Sequence, residues 1–386
     1  METVTRTELV RIYPNARMKT VIDALCDYRR YCWNQGLALW NTMYNSSLIL
    51  EDNSLRPNER KVRDELVANK ADWQYNLSAR CLQLAISDLA KAWENFFNKA
   101  QPDWGKPQFK SKKSKRQGFK TDRARLVNGM LRLDKPRGVT DWYDIPISKN
   151  ARLSGELKLA SLFKEGDKYH VALVLKDTVT AKKKTQRSTG IDLNVNHIDY
   201  IDGSQIVCPK RLDKLYSRIK HYQRQLTKKR EVNGIKATQS HNYVKTKAKL
   251  QRDYNRVAAI QKDLLHKLTT QLVTDYDKLV IEDLDVKGMM MSHVASKGLH
   301  RSLFGRFRQL LTYKCEWYGK ELIVAPRSYP STQRCSDCGH IKTGDDKITL
   351  QGNIKHGTKH NEYICYQCGA VKDRDYNAVL NLLALA

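Results

Sequence analysis

Two Cys-x-x-Cys pairs near the end of the chain have the spacing of a metal site. The pairs are Cys335 with Cys338 and Cys365 with Cys368. Each such turn directs both thiolates to one side, so two turns can close a tetrahedral shell around a zinc ion. Because four sulfur ligands leave no open position for a reactive water, we expect this Zn²⁺ to be structural. The catalytic chemistry must then come from other residues.

The connection between the two pairs exceeds the roughly 15–20 residues of a compact four-cysteine ribbon, which indicates an insertion at its tip. An acidic segment with helical spacing follows the second pair and begins near Asp373. It carries Asp375, which a zinc site so close in the chain would hold in a fixed place. The sequence therefore predicts a structural module that positions a carboxylate.

Two further carboxylates stand in predicted strands. Asp192 lies in the first strand of an antiparallel meander that contains an Asp202-Gly203 turn, and Glu282 ends a short apolar strand that begins at Lys278. Buried carboxylates are costly unless a cation neutralises them. Two divalent ions held by Asp192, Glu282 and Asp375 could activate a water and stabilise the leaving oxygen of a phosphodiester. Oxygen ligands favour Mg²⁺ or Mn²⁺.

Each of these acids also has a purely structural explanation. Asp192 could cap a turn, Glu282 could pair with a lysine, and Asp375 could be stabilised by the dipole of the helix that it begins. The argument for chemistry therefore depends on the set and not on any one residue.

The charge of the chain indicates a polyanionic partner. The formal net charge is +28 over 386 residues, and self-repulsion on this scale is costly for folding alone. No apolar run approaches the roughly 18 residues of a membrane-spanning helix, and the first residues lack the apolar core of a signal peptide. The nine cysteines form no disulfide framework, which favours a reducing, cytoplasmic environment. Nucleic acid is the expected partner.

Two basic stretches are candidate nucleic-acid surfaces. The first runs from Lys106 to Arg125, and in it cations alternate with aromatic rings, as phosphate contacts and base stacking require. The second lies in a long helical region from Arg211 to about Tyr276 that has a break near Asn233. The alternative is that both are solvated faces. The candidate contacts are Lys106, Phe109, Lys110, Lys112, Lys113, Lys115, Arg116, Arg218, Arg224, Lys228, Lys229 and Arg230.

Hydrophobic periodicity predicts the arrangement of the remaining elements. A strand over 3–13 precedes three helices, over 16 to about 44, 57–69 and 77–99, and then a β region over 129–176 that the first strand could join. Residues 182–187 form a polar linker. After the meander and the basic helices come the strand at 278, a helix from about 302 to 318 and a strand at 321.

Three motifs together resemble the TnpB family, the transposon-encoded relatives of compact type V CRISPR effectors. They are Gly190-Ile-Asp192-Leu, Val280-Ile-Glu282-Asp-Leu-Asp-Val-Lys-Gly288, and the two cysteine pairs followed by Asp-Arg-Asp375-x-Asn377-Ala378. In that family the catalytic acids match Asp192, Glu282 and Asp375, and neither Asp283 nor Asp373. The family commonly has glycine where this chain has Asn194, which predicts a different turn there.

The resemblance implies a multidomain α+β chain. Its parts would be a wedge β-barrel over 1–15 and 102–186, an inserted helical recognition domain over 16–101, an RNase H-like (RuvC-type) nuclease domain over 187–328 and 372–386, and a zinc-ribbon insert over 329–371. It also implies a guide RNA derived from the transposon end. A monomer would cleave double-stranded target DNA beside a short recognised motif, with Mg²⁺ or Mn²⁺ at the acids.

Three alternative functions fit parts of the pattern. A nucleic-acid-binding accessory protein or guided repressor would use the zinc module and the basic surface without cleavage. A transposase on the same fold would join DNA strands, and a resolvase would cut junctions without a guide. The presence of all three acids favours the nuclease.

Overall fold

The structure is a computed structural model that describes residues 2–98, 104–114, 116–134, 143–148, 151, 153–165, 168–194, 196–207, 209–233, 238, 240–285, 303–349, 351–353 and 355–386. The predicted contact Lys115, the end of the second sequence motif at Gly288 and the start of the helix predicted from 302 lie outside these residues. The chain forms two compact units, Thr3–Thr178 and Val179–Ala386. The finer domain boundaries inferred from the sequence stay predictions.

Three helices form one part of the first unit. They are α1 (Ala16–Ile49), α2 (Glu59–Ala68) and α3 (Ala79–Phe97), so all three predicted helices are confirmed. Asn15 and Asn58 cap α1 and α2 by accepting hydrogen bonds from main-chain N–H groups of the first turn. Their apolar stripes meet in a buried core. α1 continues beyond the predicted end at Tyr44 because the chain contains no helix-breaking residue before Ile49.

Seven strands form the β part of the same unit. They are β1 (Glu2–Ile12), β2 (Arg116–Thr121), β3 (Arg125–Val127), β4 (Met130–Leu133), β5 (Tyr143–Pro146), β6 (Glu156–Glu165) and β7 (Lys168–Val179). One sheet has the order β1-β7-β6-β2 and a second the order β3-β4-β5. The first strand therefore joins the later β region, as the sequence suggested. A bridge between Ile12 and Ile147 connects the ends of β1 and β5.

A five-stranded mixed sheet forms the centre of the second unit. Its strands are β8 (Ser188–Leu193), β9 (His197–Tyr200), β10 (Gly203–Ile206), β11 (Lys278–Ile281) and β12 (Glu321–Val324), in the order β10-β9-β8-β11-β12. The predicted meander is the antiparallel set β8, β9 and β10. β11 lies parallel to both β8 and β12.

Helices cover both faces of this sheet. α4 (Lys210–Asn233) and α5 (His241–Asp275) are the two basic helices, α6 spans Phe304–Tyr318, and α7 spans Arg374–Leu383. Leu279 and Ile281 of β11 pack with α5 and α6, whereas Val280 packs with Leu382 of α7. β11 is therefore apolar on both sides, as its continuous hydrophobic run predicted.

Gly190 lets α7 approach the sheet closely. A Cβ at this position would overlap the carbonyl oxygen of Val379 and the side chain of Leu382, both in α7. Side chains alternate along a strand, so Asp192 lies on the same face as Gly190 and points toward α7. The Gly190-x-Asp192 spacing thus combines a close helix contact with a carboxylate beneath it.

The cysteine segment leads directly into α7. A short hairpin of β13 (Glu362–Ile364) and β14 (Val371–Asp373) holds the second cysteine pair in its turn. Asp373 ends β14 and caps α7 by accepting hydrogen bonds from the N–H groups of Asp375 and Tyr376. No residue separates the hairpin from the helix that carries Asp375.

Candidate functional site

Three acidic side chains form a row across adjacent strands on the face covered by α7. Asp192 of β8 lies directly opposite Asp199 of β9 in the antiparallel register. On the other side, Ile281 of β11 pairs with Ile191, and Glu282 follows at the carboxyl end of the strand. Strand register therefore brings together residues that are far apart in the sequence.

α7 adds a fourth carboxylate to this row. Asp375 lies in its first turn, and Oδ2 of Asp375 is 3.3 Å from Nε2 of His197 on β9. The same ring nitrogen is 3.1 Å from Oδ2 of Asp199. The guanidinium of Arg374 donates hydrogen bonds of 3.0 and 3.1 Å to the other oxygen, Oδ1, of Asp375. The carboxylate is thus held from both sides.

Asp192 is the most buried of the four acids, and its pKa is shifted accordingly. The residue is only 4% exposed. Burial raises the pKa of Asp192 well above its ordinary value, and the charges of Glu282, Asp375 and Asp199 raise it further. Burial also raises the pKa of Glu282, although the hydroxyl of Ser331 donates a hydrogen bond to it. The site therefore places several carboxylates close together around one, Asp192, that is shielded from water.

The residues present fit a bound cation. Among the described residues, no lysine or arginine forms an ion pair with Asp192 or Glu282. The partner of Asp192 is an amide: Nδ2 of Asn194 donates hydrogen bonds of 2.9 Å to Asp192 and 3.0 Å to Asp199. An amide carries no net charge, so it orients these carboxylates without neutralising them. Clustered carboxylate oxygens are the donor set that Mg²⁺ and Mn²⁺ prefer.

Sequence reasoning missed Asp199, His197 and Ser331 and treated Asn194 only as a departure from the family. The usable signal was the short connection between the strands predicted around Asp192 and His197; in the structure, the N–H of Asn194 donates to the carbonyl of His197. The antiparallel register of β8 and β9 places Asp192 opposite Asp199, so predicting that register would have identified Asp199 as a neighbour of Asp192. Ser331 gave no such signal because only tertiary structure brings it to Glu282.

Replacing Asp192 by asparagine should stabilise the protein in the absence of divalent ions. Removing a buried, unneutralised charge should increase the free energy of unfolding by about 1–3 kcal/mol. In a unit of this size each kcal/mol raises the unfolding temperature by about 2–4 °C. The measurement is thermal unfolding of the zinc-loaded, nucleic-acid-free chain in magnesium-free buffer.

Asp283 provides the matched control, since it is adjacent in sequence but pairs with Arg308 and Arg327. Asp283→Asn should lower the unfolding temperature slightly or leave it unchanged, because exposed ion pairs contribute about 0–1 kcal/mol. Added Mg²⁺ should stabilise the parent and the Asp283 variant more than Asp192→Asn. A destabilised Asp192→Asn protein would show that the carboxylate is internally satisfied.

The four predicted zinc ligands converge at one point. Their sulfur atoms all lie within 4.8 Å of one another. The Sγ–Sγ distances are 3.7 Å between Cys335 and Cys368 and 3.6 Å between Cys338 and Cys365. Sulfurs around a tetrahedral ion with zinc–sulfur bonds of about 2.3 Å would be about 3.8 Å apart. The long insertion between the pairs therefore leaves the ligand geometry intact.

The surroundings of the cysteines also fit a zinc–tetrathiolate. Burial raises the pKa of the Cys365 thiol, but hydrogen bonds from the N–H groups of Cys368 and Gln367 and from neighbouring thiols lower it to about 7. Lys342 is buried, and its ammonium lies 3.1 Å from the centre of the Tyr366 ring, without a hydrogen-bond partner among the described residues. A tetrathiolate–zinc group carries a net negative charge, which would balance this ammonium.

Two asparagines join the first cysteine pair to α7. Asn377 is fully buried; its Nδ2 donates 2.7 Å to the carbonyl of Arg334, and its Oδ1 accepts 3.0 Å from the N–H of Ser336. One turn later, Nδ2 of Asn381 donates to the carbonyls of Ser331 and Arg334. These bonds connect the main chain on both sides of Cys335 to the helix that begins with Asp375. The asparagine of the Asp-Arg-Asp-x-Asn motif is thus a structural clamp.

The first basic stretch borders a cavity of about 630 Å³ in the first unit. Nζ of Lys110 lies 3.3 Å from the centre of the Trp33 ring, and the guanidinium of Arg116 lies 3.5 Å from the Phe163 ring. Burial and the charge of Arg29 lower the pKa of Lys110 to about 8. Of the other candidates, Lys106, Phe109, Lys112 and Lys113 are exposed.

Some of the candidate cations in the second basic stretch also bond to α5. Arg218 forms an ion pair with the buried Asp253 and so joins α4 to α5. Lys229 donates hydrogen bonds to Asn242 and Thr246 at the start of α5. Arg224, Lys228 and Arg230 are exposed on α4. Some of the predicted contacts therefore also hold the helix pair together.

No helix in the described part of the chain is long and apolar enough to cross a membrane.

Three family models match the chain. "Cas12f1-like, TNB domain" covers residues 304–382, "Probable transposase" covers 170–293, and "Helix-turn-helix domain" covers 1–47. Within the last range the described residues form strand β1 followed by one continuous helix, α1. The first range includes α6, the cysteine cluster and Asp375.

Curated relatives and a solved structure resemble most of the chain. A protein of Streptomyces pristinaespiralis named "Putative RNA-guided DNA endonuclease" is 31% identical over 307 residues, which are 78% of this chain and 70% of that protein. "Putative RNA-guided DNA endonuclease InsQ" of Escherichia coli K12 is 26% identical, over 82% and 77% of the two chains. The solved structure, titled "Cryo-EM structure of the Cas12f1-sgRNA-target DNA complex", has a TM-score of 0.53 at 13% identity and covers 98% of both chains. It shows a shared multidomain fold.

Proposed function

The chain belongs to the TnpB family, and on that premise we propose that it is an RNA-guided DNA endonuclease. A single copy would bind a guide RNA derived from the transposon end, recognise a short motif beside the target and cleave double-stranded DNA. Its curated relatives carry this activity in their names. Free cysteines and thiolate ligands also lead us to propose a reducing, cytoplasmic setting.

The observation that carries the proposal is that Glu282 and Asp375 lie close enough to the buried Asp192 for their charges to raise its pKa. These residues lie in three elements that are far apart in sequence. Burial and the neighbouring carboxylates make the charged form of Asp192 unfavourable. Structural ion pairs would include a cationic side chain, whereas Asp192 and Glu282 have none among the described residues. Clustered carboxylates without a cationic side-chain partner are typical of a metal-dependent active site.

Each side chain has a distinct part in this site. Asp192 and Glu282 would bind a divalent ion from neighbouring strands, and Asp375 would complete the site from α7. Asn194 orients Asp192, and Ser331 fixes the carboxylate of Glu282. Bound Mg²⁺ or Mn²⁺ would supply a nucleophilic water and charge stabilisation for phosphodiester hydrolysis. Phosphate contacts on the chain would orient the scissile bond.

The cavity beside the first basic stretch is the proposed contact for the nucleic-acid backbone and unpaired bases in the first unit. Trp33 donates its indole N–H to the carbonyl of Gln108, and Asn34 exchanges two hydrogen bonds with the main chain of Lys110. The basic segment is therefore attached to α1 before any ligand binds. Burial and the neighbouring charge of Arg29 depress the pKa of Lys110, so a phosphate placed there would stabilise its ammonium and relieve the repulsion from Arg29.

Expression of the chain together with the DNA that flanks its gene tests the proposed function. We expect one RNA species to copurify, with its sequence matching the transposon end. The purified complex should cut a plasmid that contains the guide complement beside a permissive motif, and only when Mg²⁺ or Mn²⁺ is present. Mismatches close to that motif should reduce cutting more than distant ones.

Other outcomes would favour the alternative functions. Joining of transposon ends without RNA would indicate a strand-transfer transposase, and guide-independent cutting of junctions would indicate a resolvase. Target binding without cutting, with all carboxylates intact, would indicate a guided repressor.

A further inference from the structure

A histidine and an extra carboxylate lie beside the three proposed catalytic acids. One ring nitrogen of His197 and one carboxylate oxygen from each of Asp199 and Asp375 lie within 4.8 Å of one another. Neither His197 nor Asp199 belongs to the motifs that carry the family resemblance. Both are in β9, two residues apart, and therefore face the same side of the sheet. They extend the active-site face by one strand.

The distances suit hydrogen bonds between the imidazole and the two carboxylates, and they also match those between neighbouring ligands of a single ion. Nε2 of His197 is 3.1 Å from Asp199 and 3.3 Å from Asp375. Neighbouring ligands of an octahedral ion with bonds of about 2.1 Å are about 3.0 Å apart. The side chain of His197 is 37% exposed and those of both aspartates are 15% exposed, so an ion and its remaining waters can reach the group.

Hydrogen bonds from Arg374 and Asn194 fix the orientation of the two carboxylates in this group. Arg374 occupies Oδ1 of Asp375 and leaves Oδ2 directed at His197. Asn194 bridges Asp192 and Asp199, so it connects the new group to the buried catalytic carboxylate. Asp375 would then lie between two positions, one shared with Asp192 and Glu282 and the other with His197 and Asp199.

We propose that His197, Asp199 and Asp375 form the second cation position of the active site, and that its nitrogen ligand makes the enzyme prefer Mn²⁺ over Mg²⁺. This inference rests on the proposed nuclease function. Mg²⁺ binds oxygen ligands and holds its waters tightly, whereas imidazole is a better ligand for transition-metal ions. A position with one imidazole and two carboxylates therefore favours Mn²⁺ over Mg²⁺ by a larger ratio than a position made of carboxylates alone.

Electron paramagnetic resonance of Mn²⁺ bound to the full-length, zinc-loaded chain tests the proposal. The parent should bind two Mn²⁺ ions, and pulsed measurements should detect coupling of bound Mn²⁺ to the ¹⁴N nucleus of a histidine. His197→Ala should abolish this coupling and weaken the second Mn²⁺ by roughly tenfold or more, as loss of a contact at a metal site typically does. Competition by Mg²⁺ should change by less than about threefold, because Mg²⁺ gains little from imidazole.

Two variants make the assignment specific. Asp199→Asn should weaken the second Mn²⁺ without affecting the first. His221→Ala is the matched control, since His221 is exposed on α4 and contacts Gln225 of the same helix. It should keep two Mn²⁺ ions and the nitrogen coupling.

The outcomes separate this proposal from the proposed function. Two bound Mn²⁺ ions without ¹⁴N coupling, or with coupling that survives His197→Ala, would overturn the histidine assignment while leaving the nuclease intact. If no Mn²⁺ binds, or if Asp192→Asn leaves both ions bound, the carboxylate centre itself is wrong. In that case the proposed nuclease function is wrong, whatever the role of His197.

Discussion

Changing Asp192, Glu282 or Asp375 to the corresponding amide is expected to reduce guided DNA cleavage by about a thousandfold or more. Each substitution removes a charged ligand from a metal site that supplies several kcal/mol of transition-state stabilisation, and each 1.4 kcal/mol is about tenfold in rate. Guide RNA and target binding should change little, because Asp192 and Glu282 lie on the sheet face beneath α7 and Asp375 lies in the first turn of α7, outside both basic stretches. The measurement is single-turnover cleavage together with gel-shift affinity on the same target.

Two neighbouring aspartates are controls for charge and position. Asp283 follows Glu282 but pairs with Arg308 and Arg327, and Asp373 precedes Asp375 by two residues but caps α7. Asp283→Asn should cleave at near the parental rate. So should Asp373→Asn, because asparagine caps helices as well as aspartate does. Equal loss in either control would show that the cleavage centre has been assigned to the wrong carboxylates.

Cys365→Ser is expected to lower cleavage by about a hundredfold while leaving guide RNA bound. Serine is a poor zinc ligand, so the four-cysteine cluster should lose its ion and the β13–β14 hairpin its fixed shape. That hairpin continues directly into α7, so Asp375 would shift. A misplacement of about 1 Å can cost about a hundredfold in rate. Zinc content, RNA content and single-turnover cleavage are measured on the same preparation.

Two further variants distinguish positioning from general damage. Cys315→Ala changes a thiol that is buried in the sheet core, whose pKa burial raises to about 12, and should retain zinc and activity. Asn377→Ala leaves all four cysteines in place but breaks the bonds from α7 to Arg334 and Ser336. It should retain zinc and still lose cleavage. Full activity in a zinc-free Cys365→Ser protein would refute the positioning role.

Local patterns in the sequence were sufficient for much of the architecture. Hydrophobic spacing located α1 and α3, and the apolar run at β11 predicted a buried strand. The four-cysteine cluster could be predicted from spacing alone, because each Cys-x-x-Cys turn directs both sulfurs to one side whatever the length of the connection between the turns. Asp192 was identifiable from its strand and from the glycine two residues before it.

The neighbours of these residues required the tertiary structure. Nothing local to Asn377 or Ser331 reveals that one clamps the cysteine loop and the other fixes Glu282. The cations of α4 look equivalent in sequence, yet Arg218 pairs with Asp253 and Arg224 is exposed, because only helix packing decides which side of α4 faces α5.

The four-cysteine cluster, the acids at strand and helix ends and the basic character of the chain could all be read from the sequence. These follow from residue type and short-range spacing. The tertiary structure decided which acids meet: the register of β8 with β9 and β11 sets Asp192 beside Asp199 and near Glu282, and α7 adds Asp375. Strand register depends on long-range pairing and packing, so the fourth carboxylate and His197 became evident only in the folded chain.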